Sequence, residues 1–205
     1  MAKTFYAIFR LVFDRFIAAF LLLILLPVLL LIALLVRLDG GPAFFTQMRL
    51  GKKAKPFRIY KFRSMVVNAD AYLDAQGQPT RPRITRLGTF LRRSSLDELP
   101  QLINIIRGDM ALIGPRPPLP HILQKMHKSE KRRFALRPGV TGLAQVLCRN
   151  QQPWSVRMKM DRLYVQRQSF CLDLFISWQT LRVVFGAKGQ FLDRNGGLED
   201  DISIR

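Results

Sequence analysis

Cysteine and histidine are nearly missing from this 205-residue chain, with two of each, and acidic residues are scarce, 14 Asp and Glu against 33 Lys and Arg. Cys148 and Cys171 are too few for a disulfide framework or a thiolate metal centre. His121 and His127, six residues apart, share neither one helix face nor a zinc-ligand spacing. Internal repeats are absent, and a single long apolar run excludes a bundle of several membrane spans. What remains is a net charge of +19, which calls for an anionic partner such as a lipid headgroup, a nucleotide or a nucleic acid. The basic segments lack the interleaved aromatics of RNA-binding sheets, which argues against nucleic acid.

The apolar run is Ile17 to Val36, twenty residues without a charge, amide or hydroxyl, the length a helix needs to cross a hydrocarbon core. Arg37-Leu38-Asp39-Gly40 makes a poor cleavage site for a signal peptide. Before the run, Phe5, Ile8, Phe9, Val12, Phe13 and Phe16 alternate with Lys3, Arg10 and Arg15 at helical spacing, as in an interfacial helix. Arg37, Arg49, Lys52, Lys53 and Lys55 follow it, so the charge bias gives no direction for a straight crossing. Pro27 stands mid-run, where it removes a hydrogen bond and favours a kink. Two arms of about ten residues would each rise roughly 15 Å, about half the core thickness. A re-entrant hairpin and a kinked spanning helix both satisfy this pattern.

Residues 1–39 are therefore expected to be an interfacial and membrane-embedded segment, 40–187 one small catalytic domain, and 188–205 a loosely packed tail. Ala43–Met48 and Pro56–Phe62 predict a β-hairpin around Gly51, and Asn68–Pro82 a polar loop. Leu87–Leu91 and Leu99–Ile106 predict helices, the second stopped by Gly108. Gly114 to Pro120 excludes regular structure, Ile122–Leu136 predicts a basic helix, and Trp154–Gln168 an amphipathic one. Phe170–Phe185 fits either a helix lying on a membrane or a buried core helix.

Four strings carry possible chemistry. Ser94-Ser95-Leu96-Asp97-Glu98 places paired carboxylates after Arg92 and Arg93; Ser95 with Glu98 also fits a purely structural capping box. Functionally, Asp97 could attack phosphorus or hold a divalent metal, with Glu98 as second ligand or proton carrier. A magnesium ion is implied, because a carboxylate approaching a diphosphate meets like-charge repulsion that a hard cation relieves. In Gly114-Pro115-Arg116-Pro117 prolines fix the chain around one arginine suited to phosphate. Arg137-Pro138-Gly139-Val140-Thr141-Gly142 is a turn open to close backbone approach, followed by Gln145 and Arg149. Lys61-Phe62-Arg63-Ser64-Met65 adds two cations, for which a solvated basic face is the simpler reading.

Taken in order behind one apolar segment, KFRSM, SLDELPQL, GDMALIGPRP and RPGVTG resemble the monotopic phosphoglycosyl transferases, the bacterial sugar transferase family, over roughly Phe13 to Phe185. The resemblance implies a mainly α fold with a short β-hairpin (α+β), an N-terminal re-entrant helix, amphipathic interfacial helices and a small catalytic domain on the cytoplasmic face of the bacterial inner membrane. It implies transfer of a phospho-sugar from a UDP-sugar to undecaprenyl phosphate, with UMP released. Asp97 then matches the nucleophile, Glu98 the second carboxylate of a magnesium-assisted dyad, and Arg116 a phosphate-binding arginine. Arg92 and Arg149 fall where the family places arginines near the nucleotide or phosphates; Lys61, Arg63 and Thr141 complete the candidate phosphate and nucleotide set. One departure is Leu26, where many members place Ser before the bending proline, so the bend rests more heavily on Pro27. A non-enzymatic module that docks on anionic lipid or nucleic acid is the rival class. A sugar transferase of the metal D-x-D type lacks its tripeptide here.

Overall fold

The computed structural model of the chain describes residues 2–74, 79–148 and 152–185. It opens with α1 (Ala2–Leu38), one helix with Pro27 in its interior. The helix continues through Pro27, as either a bent or a straight helix would. Leu22, Leu25, Leu29, Ile32 and Ala33 pack against the rest of the protein on both sides of that point, which supports the helix where the proline withholds its N–H. The inward stripe continues from Asp14 and Ala18 through Leu29 and Ile32 to Val36, all buried, at the three-and-four spacing of one helix face. Leu23, Leu26, Leu30, Leu31 and Leu34 stand exposed. Tyr6–Leu38 is long and apolar enough to cross a membrane, an 18-residue stretch of it averaging a hydropathy of 3.3.

After the Gly40-Gly41-Pro42 break, β1 (Phe44–Leu50) and β2 (Pro56–Phe62) pair antiparallel, Phe44 opposite Phe62 and Leu50 opposite Pro56. Next come α2 (Arg86–Arg93), begun by the Thr85 side chain accepting from the Gly88 amide, and α3 (Gln101–Arg107). Gly108 ends α3 in the left-handed conformation, φ 84°, donating its amide to Asn104 and Ile105 carbonyls, as a helix C-terminus requires.

β3 (Ala111–Ile113) and β4 (Gly139–Thr141) form a short parallel pair that the sequence did not announce. Between them the expected basic helix is broken into α4 (Ile122–Lys125) and a 3₁₀ turn, Glu130–Ala135. The break has a local cause: Met126 is extended, and the Glu130 carboxylate accepts the His127 amide at 2.9 Å, starting a new turn. α5 (Leu143–Cys148), α6 (Trp154–Arg167) and α7 (Phe170–Phe185) complete the described chain. The tail from 188 lies outside the described residues.

Ala18 of α1 joins Phe57, Ile59, Leu102, Ile105 and Met110 in one core cluster, while Leu29, Ile32 and Val36 join Phe62 and Leu91 in another. The domain therefore lies along α1 from one end to the other. α7 turns Asp173 and Ile176 inward and leaves Phe170, Leu174, Trp178 and Leu181 exposed. Both sequence readings of this segment are thus partly realised, one face in the core and one apolar face open.

Candidate active site

The site starts from how β2 is held. Its outer edge meets no third strand among the described residues; instead Asn104 of α3, fully buried, accepts the Tyr60 amide at 3.1 Å and donates to the Arg58 carbonyl at 2.8 Å. This fixes Lys61 beside the turn that precedes α3. At the end of β2, Ser64 is pressed against α2 so closely that a Cβ on Gly88 would stand 1.9 Å from the Ser64 carbonyl oxygen. Only glycine permits that approach. Arg92, one helical turn further on, donates to the Ser64 hydroxyl at 2.9 Å.

Asp97 and Glu98 lie in a 3₁₀ turn, Leu96–Glu98, preceded by Ser95 in the left-handed region at φ 58°. Ser95 provides no side-chain cap, so the capping-box reading of this string is set aside. Glu98 is gripped by two cations, Lys61 Nζ at 2.8 Å and Arg116 Nη1 at 3.4 Å, both on Oε1. Asp97, 8% exposed, has no hydrogen bond or ion pair among the described residues. Burial and then the neighbouring Glu98 charge push its carboxyl up to about 6, partly offset by Lys61, Arg92 and Arg116. Burial acts to raise Glu98 as well, but Lys61 and Arg116 outweigh it and hold that carboxyl below the ordinary range. The two adjacent acids are thus driven apart, one kept ionised by its partners and one left without them.

Arg116 rides on a loop whose backbone is pinned residue by residue. The Pro115 carbonyl accepts from the Gly139 amide, that of Arg116 from Arg133, that of Pro117 from Arg49, and that of Pro118 from the Leu50 amide. Gly114 packs backbone to backbone with the Arg137–Gly142 turn: a Cβ on Gly142 would lie 2.1 Å from the Gly114 oxygen. The second and third sequence motifs are therefore two halves of one interlocked loop pair, joined by β3 and β4.

Of the sequence candidates, Asp97, Glu98, Lys61 and Arg116 come together, with Arg92 near enough to act on the Asp97 charge. Arg149 lies outside the described residues. Arg63 is buried, and its guanidinium donates to the carbonyls of Val36 (2.6 Å), Pro42 (3.0 Å) and Met65 (3.3 Å). It clasps the end of α1, because the last carbonyls of a helix attract a cation as a phosphate would. The Thr141 hydroxyl pairs with that of Thr180 on α7 at 2.7 Å. Sequence reasoning missed Asn104, Arg133 and Asp161, whose polar groups are buried by partners far away in the chain; an asparagine within an apolar helical run was the one available hint.

No group of three His, Cys, Asp or Glu side chains able to hold a metal occurs among the described residues. Two carboxylates alone suit magnesium, which retains water and is completed by substrate phosphates, better than any ion that needs a full protein cage. Asp97 and Glu98 fit that role.

A family model described as bacterial sugar transferase matches residues 5–187. The chain is 40% identical over 183 residues to an uncharacterised sugar transferase, EpsL, of Bacillus subtilis, covering 89% of this chain and 90% of that protein. It is 37% identical over 171 residues to the undecaprenyl-phosphate galactose phosphotransferase of Salmonella typhimurium, covering 76% of this chain and 36% of the relative. Identity is 36% over 164 residues with the UDP-N-acetylgalactosamine-undecaprenyl-phosphate N-acetylgalactosaminephosphotransferase of Aeromonas hydrophila, covering 75% of this chain and 39% of the relative. The chain thus spans little more than a third of the two longer relatives.

Proposed function

Since this chain belongs to the bacterial sugar transferase family, we propose that it transfers a phospho-sugar from a UDP-sugar to a polyprenyl phosphate such as undecaprenyl phosphate, releasing UMP. The observation that carries the reading is Asp97, a buried carboxylate with no hydrogen-bond or ion-pair partner among the described residues, next to a Glu98 held by two cations. A carboxylate relieved of competing hydrogen bonds keeps its lone pairs for an electrophile.

In the first step an Asp97 oxygen attacks the β-phosphorus, the bond to the bridging oxygen breaks, and UMP departs with that electron pair. Asp97 then carries the phospho-sugar as a mixed anhydride. In the second step an oxygen of the polyprenyl phosphate attacks the same phosphorus and Asp97 leaves as carboxylate. Lys61 and Arg116 keep Glu98 ionised and bring positive charge to a place where two phosphates must gather. Arg116, with 40% of its side chain exposed, is the group best presented to a diphosphate, and Arg92 adds charge from α2. Magnesium held by Asp97 and Glu98 would lower the repulsion between carboxylate and diphosphate.

Relatives named for undecaprenyl-phosphate transfer support a lipid acceptor, and the architecture supports a place on the inner membrane. Near one end of α1, Arg10 pairs with Asp173 at 3.0 Å; at the other, Arg63 holds the Val36 carbonyl. A domain bound to both ends favours a helix that enters and leaves one face, the cytoplasmic one, with its outward leucines and the open face of α7 in lipid. Labelling of a cysteine placed at Lys3 from the periplasmic side of intact cells would overturn that topology.

Purified protein incubated with magnesium, undecaprenyl phosphate and a panel of UDP-sugars is expected to release UMP with at least one of them. Quenching without the acceptor should leave a phosphosugar adduct on the peptide that contains Asp97. UMP release undiminished in Asp97→Asn would remove Asp97 as nucleophile, and no release with any sugar would remove the reaction.

A further inference from the structure

Arg133 lies in the 3₁₀ turn after α4, outside all four chemistry-bearing strings, and is 4% exposed. A buried guanidinium demands compensation. Its Nη2 pairs with Asp161 of α6 at 2.8 Å, Asp161 being buried equally deeply, and the same nitrogen donates to the Arg116 carbonyl. Nη1 approaches the Met158 sulfur at 3.3 Å, and the guanidinium stands 5.8 Å from the Trp154 ring centroid. One face of α6 therefore forms a socket of Trp154, Met158 and Asp161, and the arginine seated in it reaches the peptide that carries Arg116.

This contact differs from the other three that pin the loop. Those at Pro115, Pro117 and Pro118 fall on prolines, whose φ is already set by the ring. Arg116 is the non-proline residue among the four, so its own torsions decide where its guanidinium points, and Arg133 holds its carbonyl.

We propose that Arg133, backed by Asp161, is a positioning residue for the transfer: it fixes the Arg116 peptide so that the Arg116 guanidinium meets Glu98 and the donor diphosphate. The inference rests on the role given to Arg116 under Proposed function. It makes α6 part of the catalytic machinery at one remove, and predicts that disturbing the socket acts through Arg116.

A buried ion pair replaced by apolar residues of similar size leaves stability little changed or higher, which provides the test. The full-length double variant Arg133→Met/Asp161→Leu is expected to melt no lower than wild type yet to lose about ten- to a hundredfold in kcat/KM for the UDP-sugar, the scale of a misplacement of about 1 Å. Adding Arg116→Ala should then cost far less than it does in the wild-type background, a non-additivity that a general packing defect does not produce. Hydrogen exchange at the Gly114 and Arg116 amides should quicken in the double variant without any substrate present. That measurement separates the two ideas: quickened exchange with an inactive wild type would sink the transferase reading but keep the loop hold. If the double variant fails to fold, Arg133→Lys keeps the charge for Asp161 but replaces the fork with one ammonium, and the same Arg116→Ala cycle is run on it. Wild-type kcat/KM, unaltered exchange, or fully additive losses in either background would overturn the proposal.

Discussion

Asp173 and Asp97 are buried to nearly the same degree, 7% and 8% exposed, yet their surroundings are opposites. Asp173 accepts the Tyr6 hydroxyl at 2.5 Å and the Tyr164 hydroxyl at 2.6 Å, and pairs with Arg10 at 3.0 Å. Asp97 accepts nothing among the described residues and stands beside a second carboxylate. A saturated buried acid ties elements together, here α1, α6 and α7. An unsaturated one holds free energy in reserve, because its charge is disfavoured until a ligand arrives.

The comparison breaks first at Asp97 itself. Asp97→Asn should reduce UMP release by about ten-thousandfold, roughly 5 kcal/mol of barrier, measured as single-turnover rates. Asp173→Asn should do the reverse: Arg10 loses its nearer carboxylate, keeping only Asp14 at 3.8 Å, and two hydroxyls lose a charged acceptor, destabilising the fold by about 3 kcal/mol in urea unfolding, while the folded fraction turns over normally. An Asp173→Asn protein as stable as wild type would end the distinction.

Smaller effects follow from the raised carboxyl of Asp97. Its folded value of about 6 lies above the ordinary 3.8, so the folded state binds the proton more tightly than the unfolded one. Stability from this group is complete below about pH 4 and lost as pH rises through about 6. Asp97→Asn should therefore stabilise the protein by on the order of 1–3 kcal/mol at pH 7.5 and hardly at all at pH 4. Turnover of the wild type should climb through about pH 6, as the nucleophile ionises; a midpoint near pH 4 would show that Asp97 behaves as an ordinary carboxylate. The smallest change is Thr141→Val. With its hydroxyl engaged by Thr180, it should cost about 1 kcal/mol or less of stability and leave kcat/KM for the UDP-sugar unaltered.

Much of the architecture was legible because local signals agree with the fold. The hairpin followed from alternation about Gly51, the end of α3 from Gly108, α6 from its periodicity and α7 from its apolar composition. β3 and β4 were not, since three-residue strands lack periodicity and pair across more than twenty intervening residues. At the site, Asp97, Glu98, Lys61 and Arg116 were readable as charges in ordered strings. The protein partners of Arg63 and Thr141 were not legible, because helix-end carbonyls and neighbouring hydroxyls attract the same groups as a phosphate does. Arg133 was hidden among the cations of an expected basic helix; its burial depends on Asp161, 28 positions later.

The bond between Tyr6 and Asp173 spans 167 residues, which sets an order of events during synthesis. At about 5–20 residues per second, roughly ten to thirty seconds separate the appearance of the two partners. Throughout that interval Tyr6, Arg10 and Asp14 have left the ribosome while the α7 carboxylate that locks them does not yet exist. α1 is therefore complete well before the segment that closes on it, and the Asp173 lock is one of the last contacts that synthesis permits.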